Sequence, residues 1–213
     1  MLLILTATPK PAEASDRQDS VKFSWALVCQ QQEEASKPID YHASVIPMHS
    51  GDRFKIYLKP ITPCFIYLYL YDSQGNLYLV FPEDFEFFEQ NTRPPRNYEL
   101  PGVNSWFYLD ENNGVELFYL IVSTQRLEKL ERSTVRHLSA AGRSESSGAA
   151  AAVKHEVLDE IKRLIKESSY LSSSAEKPIA VAGHFRGIRQ DTELKGISIE
   201  ASEIYVQTIR LKH

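Results

Sequence analysis

The stretch CFIYLYLYDSQGNLYLVFP, residues 64–82, constrains the fold more than any other. Its first apolar block ends at the polar residues Asp72–Asn76, far short of the ~20 residues that a membrane-crossing helix needs. Read with a period of two, it separates into two faces. Cys64, Ile66, Leu68 and Leu70 fall on one side, and Phe65, Tyr67, Tyr69 and Tyr71 on the other. The aliphatic side belongs in a core. The tyrosine side suits a half-covered surface, because tyrosine buries its ring and keeps its hydroxyl wet. DSQGN is a turn in which Gly75 supplies a positive φ, and LYLVF returns as the second strand of a hairpin.

The same alternation recurs along the chain. VKFSWALV places Val21, Phe23, Trp25 and Leu27 together, and FKIYLKP places Phe54, Ile56 and Leu58 inward with Lys55 and Lys59 outward. VELFYLIVS is nearly all apolar, as a central strand buried on both faces should be. IAVAGHF and IYVQTIRL are further strands. The 11 Tyr and 10 Phe also lean towards β structure. One region departs from this pattern. Residues 139–150 are small and polar and read as a linker. Residues 151–168 then carry Val153, Val157, Leu158, Ile161, Leu164 and Ile165 at helical spacing. That stripe has to cover a sheet face, a sandwich edge or a partner's groove. The expectation is one domain over residues 21–211: a mainly β, antiparallel β-sandwich, immunoglobulin-like in general form, with one amphipathic helix packed on it.

Chemistry is harder to find. The formal net charge of -4 offers no excess of cations for phosphates, which argues against nucleic-acid binding. No G-x-G, Walker loop, G-x-S-x-G elbow or H-E-x-x-H pair occurs. The sequence therefore points to no cofactor, no metal site and no catalytic residue, and the chain reads as a non-enzyme. PEDFEFFE gathers Glu83, Asp84, Glu86 and Glu89 around Phe85, Phe87 and Phe88. Such a loop either tucks its rings under itself or offers them to a ligand. Phe85, Phe87, Phe88, Glu83 and Glu86 are the candidate binding residues. Glu116 interrupts an apolar strand, and its carboxylate needs a cation or backbone donors if covered.

Compartment rests on the N-terminus. The apolar run LLILTAT followed by AEA reads residues 1–14 as a clipped signal peptide, with a frayed cytosolic tail as the alternative. Export to the periplasm or cell envelope would make Cys29 and Cys64, placed on neighbouring strands, candidates for a disulfide.

HSGDRFKIYLKP, FIYLYLYDSQGNLYLVFPE, YELPG and WFYLDENNGVELFYLIVSTQRLEKLE together resemble the bacterial domain of unknown function 4384 family over about residues 49–131. Gly51–Asp52, Tyr67–Tyr71, Phe81–Pro82, Leu100–Pro101, Gly114, Glu116 and Ser123 occupy the family's motif positions. The resemblance implies a small β-rich domain of bacterial envelope or signalling proteins, found alone or beside kinases, caspase-like proteases and repeat modules. It implies no catalytic residues. The insert EDFEFFEQNTRPPRN and the helix depart from the family's pattern. The functional expectation is a binding or accessory module of the cell envelope contacting a protein or an envelope polymer. The alternatives are a hydrolase with a composite acidic site and a structural subunit docking through the 153–168 helix.

Overall fold

A computed structural model describes residues 20–30, 43–90, 96–142, 147–171, 175–180 and 195–213. The expected leader at 1–14, the RPP bend and the second half of IAVAGHF lie outside them. Two sheets face each other. In the first, β1 (Ser20–Gln30) is central between β3 (Arg53–Pro60) and β10 (Lys195–Ser202). β9 (Ala175–Ala180) pairs with β10 on one side, and β6 (Tyr98–Leu100) and β7 (Phe107–Tyr108) pair with β3 on the other. The second sheet runs β2 (Ile46–Pro47), β11 (Ile204–Lys212), β8 (Val115–Ser123), β4 (Phe65–Tyr71), β5 (Leu77–Phe81). The short β2 joins β11 in parallel, and the remaining pairs are antiparallel.

The alternating residues meet between the sheets as their spacing requires. Phe23, Trp25 and Leu27 of β1 and Phe54, Ile56 and Leu58 of β3 face Ile66, Leu68, Phe118 and Leu120 of the second sheet. Each such side chain contributes about 1.5–3 kcal/mol when fully buried.

The tyrosine face is more deeply covered than expected: Tyr67 and Tyr69 are both 0% exposed. A third layer lies on it, built from two long helices, α2 (Glu128–Ala141) and α3 (Ser147–Leu171), beyond the single helical turn α1 (Phe87–Gln90). The expected β-sandwich with a packed helix is present, and α1 and α2 accompany that helix. The supposed linker is partly helix, since α2 runs through Ala141 and α3 starts at Ser147, with residues 143–146 outside the description. Four consecutive alanines at Ala149–Ala152, the best helix formers, explain the longer α3. The stripe Val157, Leu158, Ile161 and Leu164 is spent within the chain, against Tyr67, Tyr69, Ile121 and Ile204.

Polar bonds fasten this layer. Tyr67 Oη donates to Glu131 Oε1 at 2.7 Å, and Tyr69 Oη lies 2.9 Å from Thr134 Oγ1. The Thr134 hydroxyl also lies 2.8 Å from the Leu130 carbonyl, to which it donates, so Tyr69 is the donor to Thr134. His137 Nε2 donates to Leu77 O at 3.0 Å, and Lys154 Nζ to Gly75 O at 2.6 Å, tying both helices to the β4–β5 hairpin. Glu160 is buried between Arg163 and Lys129. Burial alone would raise its carboxyl, and the two cations hold it below its usual range.

Two further expectations change on the first sheet. Lys55 does point to the outer face but is only 4% exposed, roofed by Trp106 with Nζ 5.1 Å from the ring centre. Its ammonium donates to Val103 O and lies 3.5 Å from Glu99. Cys29 and Cys64 are not on neighbouring strands: Cys29 is in β1 of the first sheet, and Cys64 precedes β4 in the second. Both are free, and Cys29 Sγ sits 3.8 Å from Met48 Sδ.

Candidate functional site

Three turn-rich segments converge at one end of the sandwich. The first is His49–Asp52, where Gly51 takes φ 86° and the Asp52 carboxylate accepts the His49 N–H at 2.9 Å. The second is the Asp72–Asn76 hairpin turn, with Gly75 at φ 81° as its sequence predicts. The third is Leu109–Gly114, which leads into β8. Asp72 and Asp110 work alike. Each carboxylate accepts a backbone and a side-chain N–H from one asparagine, Asn76 at 2.7 and 2.9 Å and Asn112 at 2.8 and 2.7 Å. The Asn112 bonds hold the Asp110 carboxyl below its usual range.

Between the second and third of these turns opens a cavity of about 160 Å³. Glu116 shares the phase of Phe118 and Leu120, so it points between the sheets, and its position at the strand's start brings it into this cavity. Its Oε1 accepts the Ser73 N–H at 3.2 Å and lies 3.6 Å from His213 Nε2. The expected backbone donor is therefore present, and the His213 imidazole stands beside it. The His213 side chain is 1% exposed. Its Nδ1 is 3.4 Å from Ser50 Oγ, while Nε2 has no hydrogen-bond partner.

The predicted loop residues lie elsewhere. Phe87 packs on the inter-sheet core against Phe81, while Phe85 and Phe88 pack on the helix-side core against Tyr67. All three rings are half-buried, so the loop offers no projecting patch of three phenylalanines. Glu83 and Glu86 are exposed. Phe85 alone also lines an open groove of about 640 Å³ along α2, with Arg126, Glu131, Arg132, Val135 and Arg136. Arg126 bonds Glu131 at 2.6 Å and Glu89 at 3.2 Å, and these acids raise its affinity for its proton. Val135 is 52% exposed, one turn before the exposed Leu138.

The loop phenylalanines thus separate between two cores, and the acids that do gather around a histidine come from other segments. The sequence does not single out Asp72 and Asp110, which line the cavity with Glu116, or His213, which lies 3.6 Å from it. Their one available signal was that DSQGN and DENNG are both aspartate-headed turns flanking strands that pair with each other. Among the described residues no three His, Cys, Asp or Glu come together as metal ligands.

The turns, the hairpin and Glu116 are the positions on which a family comparison bears. Residues 48–126 match the family model described as Domain of unknown function (DUF4384). The DUF4384 segment holds β3 to β8. β1, β10 and β11, which complete the two sheets, and both long helices lie outside it. No curated protein and no solved structure matches the chain. Within the DUF4384 segment the motif residues build the cavity end. Gly51 and Asp52 form the first turn, and Glu116 fixes the second through Ser73. Gly114 is needed by close approach, because a Cβ there would stand 2.4 Å from Ser73 Cβ.

Proposed function

We propose that the chain is a non-enzymatic binding module of the bacterial cell envelope, exported and contacting a protein through the groove between Phe85 and α2. The observation that supports this reading is the groove itself. Its floor is the Arg126–Glu131 pair, fixed from below by Tyr67, and its walls present Phe85 and Val135 to solvent. Apolar anchors rimmed by charges suit a protein partner, whose apolar side chain would displace water there. Described helices give no span long and apolar enough to cross a membrane, and among the described residues of α3 Val157, Leu158, Ile161 and Leu164 are buried in the helix-side core. These side chains already cover the second sheet.

The hydrolase alternative draws on the gathering of Asp72, Asp110 and Glu116 with His213. Against it, both aspartates hold asparagine-closed turns and Glu116 holds the Ser73 amide. A photocrosslinking amino acid at Val135, introduced in the native bacterium, tests the binding reading. One discrete crosslinked protein is expected, lost on Val135→Asp in the purified pair with melting unchanged. Diffuse crosslinking, or a partner indifferent to Val135→Asp, would remove the groove from the proposal.

A further inference from the structure

The cavity at the hairpin end contains a buried nitrogen without a partner. His213 Nδ1 lies 3.4 Å from Ser50 Oγ, whose own hydroxyl donates to Asn113 Oδ1, so in the neutral ring Nδ1 carries the proton and Nε2 keeps a lone pair. An unpartnered buried acceptor is costly unless something donates to it. Glu116 cannot donate as a carboxylate. Its side chain is 10% exposed and its Oε1 lies 3.6 Å from Nε2, so two acceptors share one small space.

The rest of the lining carries one sign. Asp72 and Asp110 stand on the rim beside Glu116, and among the described residues no Lys or Arg lines the cavity. Each aspartate oxygen that accepts one N–H keeps a second lone pair. The walls are aromatic, with Phe107, Tyr108 and Phe118 among them. Carboxylates attract a cation by charge, and aromatic walls add the attraction of the ring quadrupole. An anion would meet three negative charges. A divalent metal would need converging ligands, and the described residues supply no such set. The volume of about 160 Å³ fits the end of one side chain or a small amine.

We propose that this cavity receives one organic ammonium group, with Glu116 as its countercharge and His213 Nε2 as a second acceptor. The group could come from a partner's lysine or from a free primary amine, and both carry the same chemistry. The proposal is independent of the Phe85–α2 groove, with which the cavity shares no lining residue.

The test is an amide and imidazole NMR titration of the full chain with n-butylammonium, and with n-butanol as the neutral control. Saturable millimolar shifts at Ser73, Gly114, Glu116 and His213 are expected for the cation and not for the alcohol. No saturation, or an equal response to the alcohol, would overturn the proposal. Glu116→Gln should weaken binding about tenfold, as loss of a charge-assisted hydrogen bond does. Should that variant fail to fold, Asp110→Asn on the exposed rim should weaken it several-fold, and undiminished affinity there would count against the site. A peptide with one lysine, tested beside its acetylated form, separates the sources. Tighter binding by the unmodified peptide assigns a protein lysine, and binding by the amine alone assigns a small molecule.

Discussion

Tyr67 Oη stands 2.7 Å from Glu131 Oε1 and 3.0 Å from the Leu127 nitrogen, so one buried hydroxyl joins β4 to the start of α2. It donates to the carboxylate and accepts the amide. Glu131 in turn takes the Arg126 guanidinium on both oxygens. Burial, and then the bond to Glu131, push the Tyr67 hydroxyl strongly towards its protonated form, while the Leu127 amide pulls the other way.

Removing that hydroxyl should therefore cost more than one hydrogen bond. Tyr67→Phe leaves the Leu127 N–H and one carboxylate lone pair unmatched, which lowers stability by about 1–3 kcal/mol. Urea denaturation measures it. Paired with Glu131→Gln in a double-mutant cycle, it should show a coupling of at least about 0.5 kcal/mol. Additive effects would mean that the two groups do not act together.

This linkage also explains which parts of the fold were legible. The inter-sheet core follows from alternation, because Phe23, Phe54, Ile66 and Phe118 have no other way to leave water. The second face reads as half-wet because tyrosines tolerate water. α2 and α3 cover it, and the buried side of α2 includes Glu131, Ser133 and Thr134. Apolar periodicity cannot mark such residues as interior. Glu131 and Thr134 meet the hydroxyls of Tyr67 and Tyr69 there, and Ser133 Oγ donates to its own helix at Leu130 O. Lys55 misleads in the same way, since Trp106, Val103 and Glu99, all far away in sequence, close over an outward lysine. The end cavity depends on three turns and the end of β11 meeting in space, which no local spacing encodes.

Cys29 should make the protein sensitive to alkali. Burial, and then the Asp52 carboxylate, push its thiol from 9.0 up to about 12. The unfolded thiol ionises first, so the stability held by keeping Cys29 protonated is intact below pH 9 and is lost as pH rises from 9 through 12. Cys29→Ala removes this contribution. Its unfolding free energy should fall less steeply than the wild type's across that window, while native Cys29 resists thiol reagents at neutral pH. Parallel curves would show that the thiol is not shielded in the fold.

Gly114 and Ser73 should behave as one unit. A Cβ at position 114 meets Ser73 Cβ at 2.4 Å and its Oγ at 3.3 Å. Gly114→Ala should cost about 1–3 kcal/mol as an overpacked contact. Ser73→Gly removes the obstructing atoms at the expense of the 3.2 Å bond from Ser73 Oγ to Asn112 O. The double variant should be more stable than Gly114→Ala alone. Thermal melts of the three proteins decide the matter, and a double variant no better than the single one would place the strain elsewhere.

The loop phenylalanines should divide by the core each one reaches. Phe87 stacks edge-on to Phe81 at 5.2 Å, and Phe88 meets both Phe65 and Tyr67 at 5.2 Å. Changing either to Ser should cost about 2 kcal/mol, as loss of a half-buried ring in contact with a core does. It should leave the groove partner bound. Phe85 touches Tyr67 only at 6.1 Å and turns its remaining surface to the α2 groove. Phe85→Ser should lower stability less and weaken crosslinking at Val135 more. Melting temperature and crosslink yield, measured on the three variants side by side, separate these roles. A Phe85→Ser protein that crosslinks like the wild type would leave the groove without its apolar anchor. An unchanged melt for Phe87→Ser or Phe88→Ser would mean that the loop does not pack on the cores as described.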